Sequence, residues 1–336
     1  MLVERDVPLA TRTTLGIGGA ARELARVTSL EELAEALTTD APLLVLGGGS
    51  NLVVGDAGFA GRVLAIALPG VTITGDTVRV AAGVVWDDFV AEMVAAGRAG
   101  VECLSGIPGL VGATPMQNVG AYGQEVADTI TCVRAMNRHT REVVELAPAA
   151  CHFAYRTSAF KGTTRWVITE VDFRLPRAES SAPIRYPELG KALGIAEGGR
   201  APLAQVRDTV IALRRGKGMV VDAADPESRS AGSFFTNPLV DGATLATLDT
   251  RFGAAMPRWP QPDGMTKLSA AWLIERAGFT KGYTTGRVGI SRKHALALVN
   301  RGGATAAELL ALAREIQDGV RGKLGVALVP EPVIVE

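Results

Sequence analysis

Charge of either sign is in no excess along this chain, since 35 Lys and Arg stand against 35 Asp and Glu. Without a basic surplus no nucleic acid is expected, and no acidic tail argues for a disordered partner segment. Histidine is scarce: His139, His152 and His294 are the three present, too scattered for histidine-based metal chemistry. The cysteines, Cys103, Cys132 and Cys151, are odd in number and lack CxxC spacing. They read as reduced thiols, neither a disulfide framework nor a zinc site, and no metal is expected. The opening MLVERDVPLATRTTLGIGG carries charges where a signal peptide needs an apolar run, so a cytoplasmic protein without a membrane span is expected. Internal repeats and low-complexity tracts are absent.

What the chain does have is 336 residues, enough for two or three domains and a sizeable core. Its most informative stretch is Cys103–Gln124, CLSGIPGLVGATPMQNVGAYGQ, which has no charged residue yet is too rich in Gly, Pro and polar groups to span a membrane. Its glycines let backbone amides approach a ligand closely. Gln117 and Asn118 add amide donors and acceptors, and Tyr122 adds an aromatic plate. Such a loop suits a phosphate-bearing group with a flat polar ring. A long surface loop, the plainer alternative, would carry charges.

In chain order, Gly16 to Ala21 could pass for a GxGxxA dinucleotide fingerprint, but no strand is expected before it, so a Rossmann turn is rejected. A helix is predicted from Ser29 to about Thr38, with Ser29 and Glu32 spaced as a capping box. Leu43–Leu46 reads as a strand leading into GGGSN, Gly47–Asn51, and Val53-Val54 resumes a strand at once. That is a strand–loop–strand cradle in which successive N–H groups hold a pyrophosphate. A β-hairpin is predicted over Val71–Val80 and a helix from Trp86 to Ala96. Strands are read at Thr131–Met136, Glu142–Leu146 and Trp166–Phe173. Pro176–Pro187 is polar and proline-containing, read as a mobile connector. Helices are predicted from about Pro202 to Arg215, over Ala270–Ala277, and from a capping box at Thr305 and Glu308 to about Arg321. A last strand covers Val326–Val335. The class is α+β, unlike a doubly wound sheet.

Three short strings concentrate chemistry. Tyr155–Lys161, YRTSAFK, packs an aromatic, a guanidinium and an ammonium together, although an isolated Arg there is more often a surface ion pair. In Ser230–Pro238, SAGSFFTNP, the Ser233 hydroxyl lies between a flexible Gly and paired Phe anchors. It lacks the GxSxG context of an acyl-transfer nucleophile but could act as a proton donor. Glu331 stands between two prolines at the end of an apolar run, where a plain solvated carboxylate is the alternative.

The ordered set TTLGIGG, GGGSN, IPGLVGATPMQNVGAYGQE, YRTSAFK, GSFFTNP and KLSAAWLIERAGF resembles the UDP-N-acetylenolpyruvoylglucosamine reductase (MurB) family over nearly the whole chain, in the subclass with a closing loop. The resemblance implies a bipartite, non-Rossmann FAD-binding domain of the PCMH type with a smaller α+β substrate domain. Its lobes would be residues 1–70 and 71–200, the latter including the lid near 176–187. The substrate domain would be 201–325, and 326–336 a terminal strand returning Glu331 to the active site. The family takes a hydride from NADPH onto flavin N5 and passes it to the enolpyruvyl ether of UDP-N-acetylglucosamine enolpyruvate. The product is UDP-N-acetylmuramate for peptidoglycan synthesis, and through it cell-wall biogenesis, cell shape and division.

By motif matching, FAD would be held by Gly47, Gly48, Gly49, Ser50 and Asn51, and by Ile107, Pro108, Gly109, Gly112, Ala113, Gln117, Asn118, Gly120, Ala121, Tyr122 and Gly123, with Val171 beyond them. Ser233 would protonate the intermediate that Arg156 and Glu331 stabilise. Tyr155, Lys217 and Asn237 would bind the UDP-sugar, with Tyr186 closing over it, and the enzyme would act as a monomer. Two departures stand out: Pro332-Val333 follows Glu331 where the family commonly has Val-Arg, and Thr236 sits where a basic residue is frequent. Lys217, after Arg214 and Arg215, could equally compensate a helix dipole, the better reading for those two arginines. The alternatives are another FAD oxidoreductase or oxidase of the same fold and a non-catalytic nucleotide-binding module. No His precedes His139 and no Cys precedes Cys103, which counts against covalent flavin attachment.

Overall fold

The computed structural model describes residues 1–336. Extended structure begins earlier than the reading above, with β1 (Leu2–Pro8) and β2 (Ala20–Val27). The ground for rejecting the GxGxxA fingerprint therefore changes. A strand does precede Gly16, and the dinucleotide turn is excluded because a second strand follows where a helix would be needed. The helix α1 (Leu30–Ala36) starts where Ser29 accepts the Glu32 amide. Its capping box is half made, because the Glu32 carboxylate accepts instead from the Thr28 amide and hydroxyl.

The strands β3 (Leu43–Leu46), β4 (Leu52–Val54) and β5 (Phe59–Ile66) follow, so GGGSN does join strand to strand. Gly75 turns the hairpin of β6 (Val71–Thr74) and β7 (Thr77–Ala81). The helix α2 (Trp86–Ala95) buries Trp86, Phe89, Val90 and Met93. After it, the charge-free stretch contains short helical turns and leads into the small hairpin of β8 (Gly120–Ala121) and β9 (Gln124–Glu125). The strands β10 (Ile130–Asn137), β11 (Val143–Leu146) and β12 (Trp166–Arg174) lie where they were predicted. The helix α3 (Pro187–Leu193) was not anticipated, its seven residues being too few for a clear apolar period. It precedes α4 (Leu203–Gly216). The connector before α3 is tied down: Ser181 and Ile184 donate their amides to Ala201 and Gly199, and Ile184 is buried with Leu189 and Val206.

Next come β13 (Leu239–Val240), α5 (Gly242–Phe252), β14 (Arg258–Pro260), β15 (Thr266–Leu268) and α6 (Ala270–Arg276). They are followed by β16 (Thr284–Thr285), β17 (Val288–Ile290), β18 (Leu298–Asn300), α7 (Ala306–Leu324) and β19 (Val333–Val335). The Thr305–Glu308 capping box of α7 is complete. The terminal strand is shorter than predicted, because Pro330 and Pro332 lack the N–H that a continuous ladder needs. No helix is long and apolar enough to cross a membrane.

The chain forms two compact units. The first comprises Met1–Val7, Ala21–Gly48 and Ala60–Gly216, and the second Pro8–Ala20, Gly49–Phe59 and Lys217–Glu336. These differ from the boundaries read from sequence: residues 1–70 are shared out, and α4 closes the first unit instead of opening the second. In the first unit one sheet has the order β1-β2-β5-β3 and another, fully antiparallel, the order β11-β10-β12-β7-β6. Trp86 and Phe89 meet Phe173 at centroid distances of 5.9 and 5.4 Å in its core.

In the second unit α7 packs Leu309, Leu312, Ile316 and Val320 into a core that also takes in Leu15, Ile17 and Val53. Those three explain why two N-terminal segments belong here. The second segment is secured twice more. β4 pairs in parallel with β19, and the Asp56 carboxylate caps α7 by accepting the Ala306 and Ala307 amides at 2.7 and 3.0 Å. The first is held by Asn300, whose Nδ2 donates to the Leu15 and Gly16 carbonyls while its Oδ1 accepts the Gly302 and Ala304 amides. Asn300 is buried, so Asn300→Ala orphans groups on both sides. Thermal or denaturant unfolding is expected to show a loss of about 2–4 kcal/mol. A loss below about 0.5 kcal/mol would mean that Asn300 is not the tie.

Candidate active site

In the first unit the charge-free stretch is stitched to the residues that start α2. Trp86 donates its amide to Gly109 and its indole N–H to Leu104, while the Val111 and Gly112 amides donate to Val84 and Ala82. Asp87 accepts the Gly106 amide at 2.6 Å and is gripped by both terminal nitrogens of Arg207. Burial alone would raise the Asp87 carboxyl, but Arg207 and the Gly106 N–H outweigh it and hold it below the usual range. Glycine is required where the loops meet. A Cβ on Gly48 would lie 2.7 Å from the Gly109 Cα, and one on Gly112 2.5 Å from the Ala82 Cβ. At Gly47 an added Cβ would only come into ordinary contact with Ala113 and Leu110. Two distant glycine loops thus lie backbone against backbone with no charged side chain from Cys103 to Gln124. Main-chain amides gathered in this way fit a pyrophosphate and a polar ring, so the residues present fit FAD.

The hairpin of β8 and β9 turns through Tyr122 and Gly123, both at positive φ (49° and 82°), as a tight two-residue turn requires. A tyrosine is an uncommon choice there, and Asn118 (46°) and Arg156 (53°) are also left-handed. Asn118 is buried with its amide fully used: Nδ2 donates to Glu125 and to the Ala154 carbonyl, and Oδ1 accepts the Ala127 amide. It shapes the loop from within and offers a ligand only main chain. The YRTSAFK string is bound to the same loop. Arg156 Nη2 donates to the Gly120 carbonyl at 2.8 Å, and Ser158 donates to the Met116 carbonyl. Lys161 in turn donates to the Arg156 carbonyl, and the guanidinium lies 5.5 Å from the Tyr155 ring centre.

Tyr186, the residue before α3, meets Tyr122 edge-on at 5.3 Å. Burial pushes the Tyr122 phenol up to about 12, against the pull of the Arg214 charge. Burial likewise brings the Arg214 guanidinium down to about 10, opposed by Tyr122 and Asp87. Sequence reasoning treated Arg214 as dipole compensation, whereas its Nε is shut off from solvent beside the loop. Arg207 and Arg214 stand seven residues apart on one face of α4, a spacing that could have flagged both. Val171 has no exposed surface and lies in the core of the first unit, so its side chain is not open to a ligand.

In the second unit the GSFFTNP and VPEPV strings run antiparallel. The Thr236 amide donates to Val329, Phe235 bridges to Pro330, and the Glu331 amide donates to the Phe234 carbonyl at 2.9 Å. Asn51 joins them: its Nδ2 donates to the Glu331 carbonyl, and its own carbonyl accepts the Val333 amide. Pro332 leaves these bonds intact, because their donors are the Glu331 and Val333 amides on either side of it. Three residues chosen from separate strings, Asn51, Ser233 and Glu331, are therefore brought together. Phe234 and Phe235, fully buried at 5.3 Å from each other, anchor the serine. Asn237 spends its Oδ1 on the Ala270 amide at the start of α6, which leaves its Nδ2 for a ligand. Lys217 is half-buried beside Gly218, where a Cβ would meet the Glu227 carbonyl at 2.8 Å.

Comparisons with known proteins identify the family. Residues 21–147 match the family model described as an FAD binding domain, and residues 225–335 the one described as UDP-N-acetylenolpyruvoylglucosamine reductase, C-terminal domain. The UDP-N-acetylenolpyruvoylglucosamine reductase of Thermobifida fusca is 54% identical over 346 residues, covering 98% of this chain and 97% of its own. That of Mycolicibacterium gilvum is 48% identical over 99% of this chain and 96% of its own. The crystal structure of the reductase (MurB) from Thermus caldophilus superposes with a TM-score of 0.71 at 30% identity, covering 100% of both chains. The chain belongs to the UDP-N-acetylenolpyruvoylglucosamine reductase (MurB) family.

Proposed function

We propose that Ser233, Arg156 and Glu331 carry the chemistry of this FAD- and NADPH-dependent oxidoreductase of peptidoglycan synthesis, which reduces UDP-N-acetylglucosamine enolpyruvate to UDP-N-acetylmuramate. Bound FAD supplies the enolpyruvyl carbon with a hydride taken from NADPH. The chain's residues must then hold the substrate, stabilise the charge that appears on it and deliver one proton. Hydride addition leaves negative charge on the carbon conjugated with the substrate carboxylate. Arg156 is permanently charged and can clamp that carboxylate through two parallel bonds, with Glu331 completing the stabilisation of the enol form. Ser233 gives its hydroxyl proton to the carbon, a transfer feasible for so weak an acid only because the acceptor is a developing carbanion held beside it.

The observation that carries this reading is the main-chain stitch uniting the Ser233, Glu331 and Asn51 segments. Rigid main chain positions a donor better than a free loop does. The left-handed backbone of Arg156, sustained by the bonds to Gly120 and Lys161, supports its assignment in the same way. Gly47–Asn51 and the 107–123 loop hold FAD, with Val171 contributing packing beneath it. Tyr155, Lys217 and Asn237 bind the UDP-sugar, and Tyr186 closes over it. The first unit serves chiefly the flavin and the second the substrate, in a cytoplasmic monomer.

Anaerobic absorption spectra test the whole. The protein should be yellow, bleach with NADPH and recover its colour with the enolpyruvyl UDP-sugar. A protein that cannot be reconstituted with FAD would sink the reading, and recovery only with oxygen would favour an oxidase. Ser233→Ala should leave bleaching by NADPH within about twofold while slowing recovery by at least about 100-fold, the usual worth of a general acid. Equal loss in both half-reactions would remove the serine from its role. Arg156→Lys should lower kcat by about 100-fold, because an ammonium cannot reproduce the two-pronged clamp. Near-wild-type turnover would take Arg156 out of the mechanism.

A further inference from the structure

The TTLGIGG string has no part in the chemistry so far, yet the second unit holds it firmly. Leu15 and Ile17 are buried, Asn300 ties the Leu15 and Gly16 carbonyls, and Thr13 donates its hydroxyl to the Ile17 carbonyl. Between these fixed points Thr14 makes two bonds in different directions. Its amide donates to the Gly49 carbonyl at 3.2 Å, and its hydroxyl donates to the Ser230 carbonyl at 2.6 Å. Gly49 is pressed so closely on this segment that a Cβ there would lie 2.0 Å from the Arg12 carbonyl oxygen.

The Ser230 end matters for Ser233. On the C-terminal side the serine is fixed by Phe234, whose amide donates to Leu296 and whose carbonyl accepts from Glu331. On the N-terminal side lies Gly232 at φ 71°, a residue with no intrinsic stiffness. What stiffens that side is Ser230: its hydroxyl accepts the Gly232 amide, it bridges to Val299, and its carbonyl is gripped by Thr14.

We infer that Thr14 is a positioning residue for the reaction. Through its hydroxyl it sets the aim of the Ser233 loop, and through its amide it aligns that loop with the Gly49–Asn51 loop. The inference rests on the reading of Ser233 as the proton donor. Thr14→Val removes the hydroxyl bond alone, since the amide remains. Four quantities should be measured on Thr14→Val, Thr14→Ser and Ser233→Ala. They are the Kd for FAD of the apoprotein, the rate of bleaching by NADPH, the rate of recovery with the enolpyruvyl UDP-sugar, and the solvent deuterium isotope effect on that recovery. In Thr14→Val recovery should slow by about tenfold, the worth of one neutral hydrogen bond, with a larger isotope effect because a misaimed donor makes proton transfer more limiting. The FAD Kd and the bleaching rate should stay within about twofold, and Thr14→Ser should restore recovery to within about threefold. Unchanged recovery in Thr14→Val, or equal slowing of both half-reactions, overturns the inference. If Ser233→Ala fails to separate the half-reactions, the proton-donor reading itself falls, and the two failures are thereby distinguished. Should Thr14→Val not accumulate as folded protein, Thr14→Ala is judged by the same criteria.

Discussion

A Cβ on Gly48 would sit 2.7 Å from the Gly109 Cα, and one on Gly49 2.0 Å from the Arg12 carbonyl oxygen. In both places backbone lies directly on backbone, and these approaches govern how the glycine turn is seated. In the first unit the approach lays the GGGSN turn along the charge-free loop. In the second it presses the other end of the same turn onto the TTLGIGG segment. Each glycine gives up chain entropy to make the contact possible, and the burial around it offsets that cost.

Main chain, more than side chain, then builds the working surface. The loop from Gly106 to Gly112 is held by amide–carbonyl bonds to residues 82–86 and by the Asp87 carboxylate. The strings bearing Ser233 and Glu331 are paired in the same fashion, with Asn51 clamped beside them. Side chains of high sequence specificity, such as Asn118 and Asn300, are spent on internal carbonyls and amides. Left-handed backbone at Asn118, Tyr122 and Arg156 stores strain in the middle of this arrangement, sustained by the bonds around it.

Electrostatics follow the same plan. In the first unit α4 supplies two arginines, one paired with Asp87 and one half-buried near Tyr122. Burial raises the Tyr122 phenol to about 12, so it stays protonated and able to donate across the neutral range.

Much of this was legible in the residues. Alternation marked the β6–β7 hairpin and the strands of the antiparallel sheet, Ser29 and Thr305 marked helix starts, and six short strings in order carried the family. Local chemistry settles such features, because a cap or an alternating face is decided by neighbours within a few residues. Where the reading missed, the cause was distance along the chain. β1 and β2 carry too many charged residues to stand out as strands, and only pairing makes them so. The division into units escaped because Leu15, Ile17 and Val53 are buried in a core otherwise built from the C-terminal part of the chain. Arg214 was read as dipole compensation, yet its Nε is shut off from solvent, and Asn237, read as a substrate ligand, also accepts the first amide of α6. The sequence by itself determined the chemical inventory, the caps and the family, all of which depend on residue type and local spacing. Tertiary structure alone decided which backbone atoms meet and which polar side chains remain for a ligand, because those depend on contacts between segments far apart in the chain.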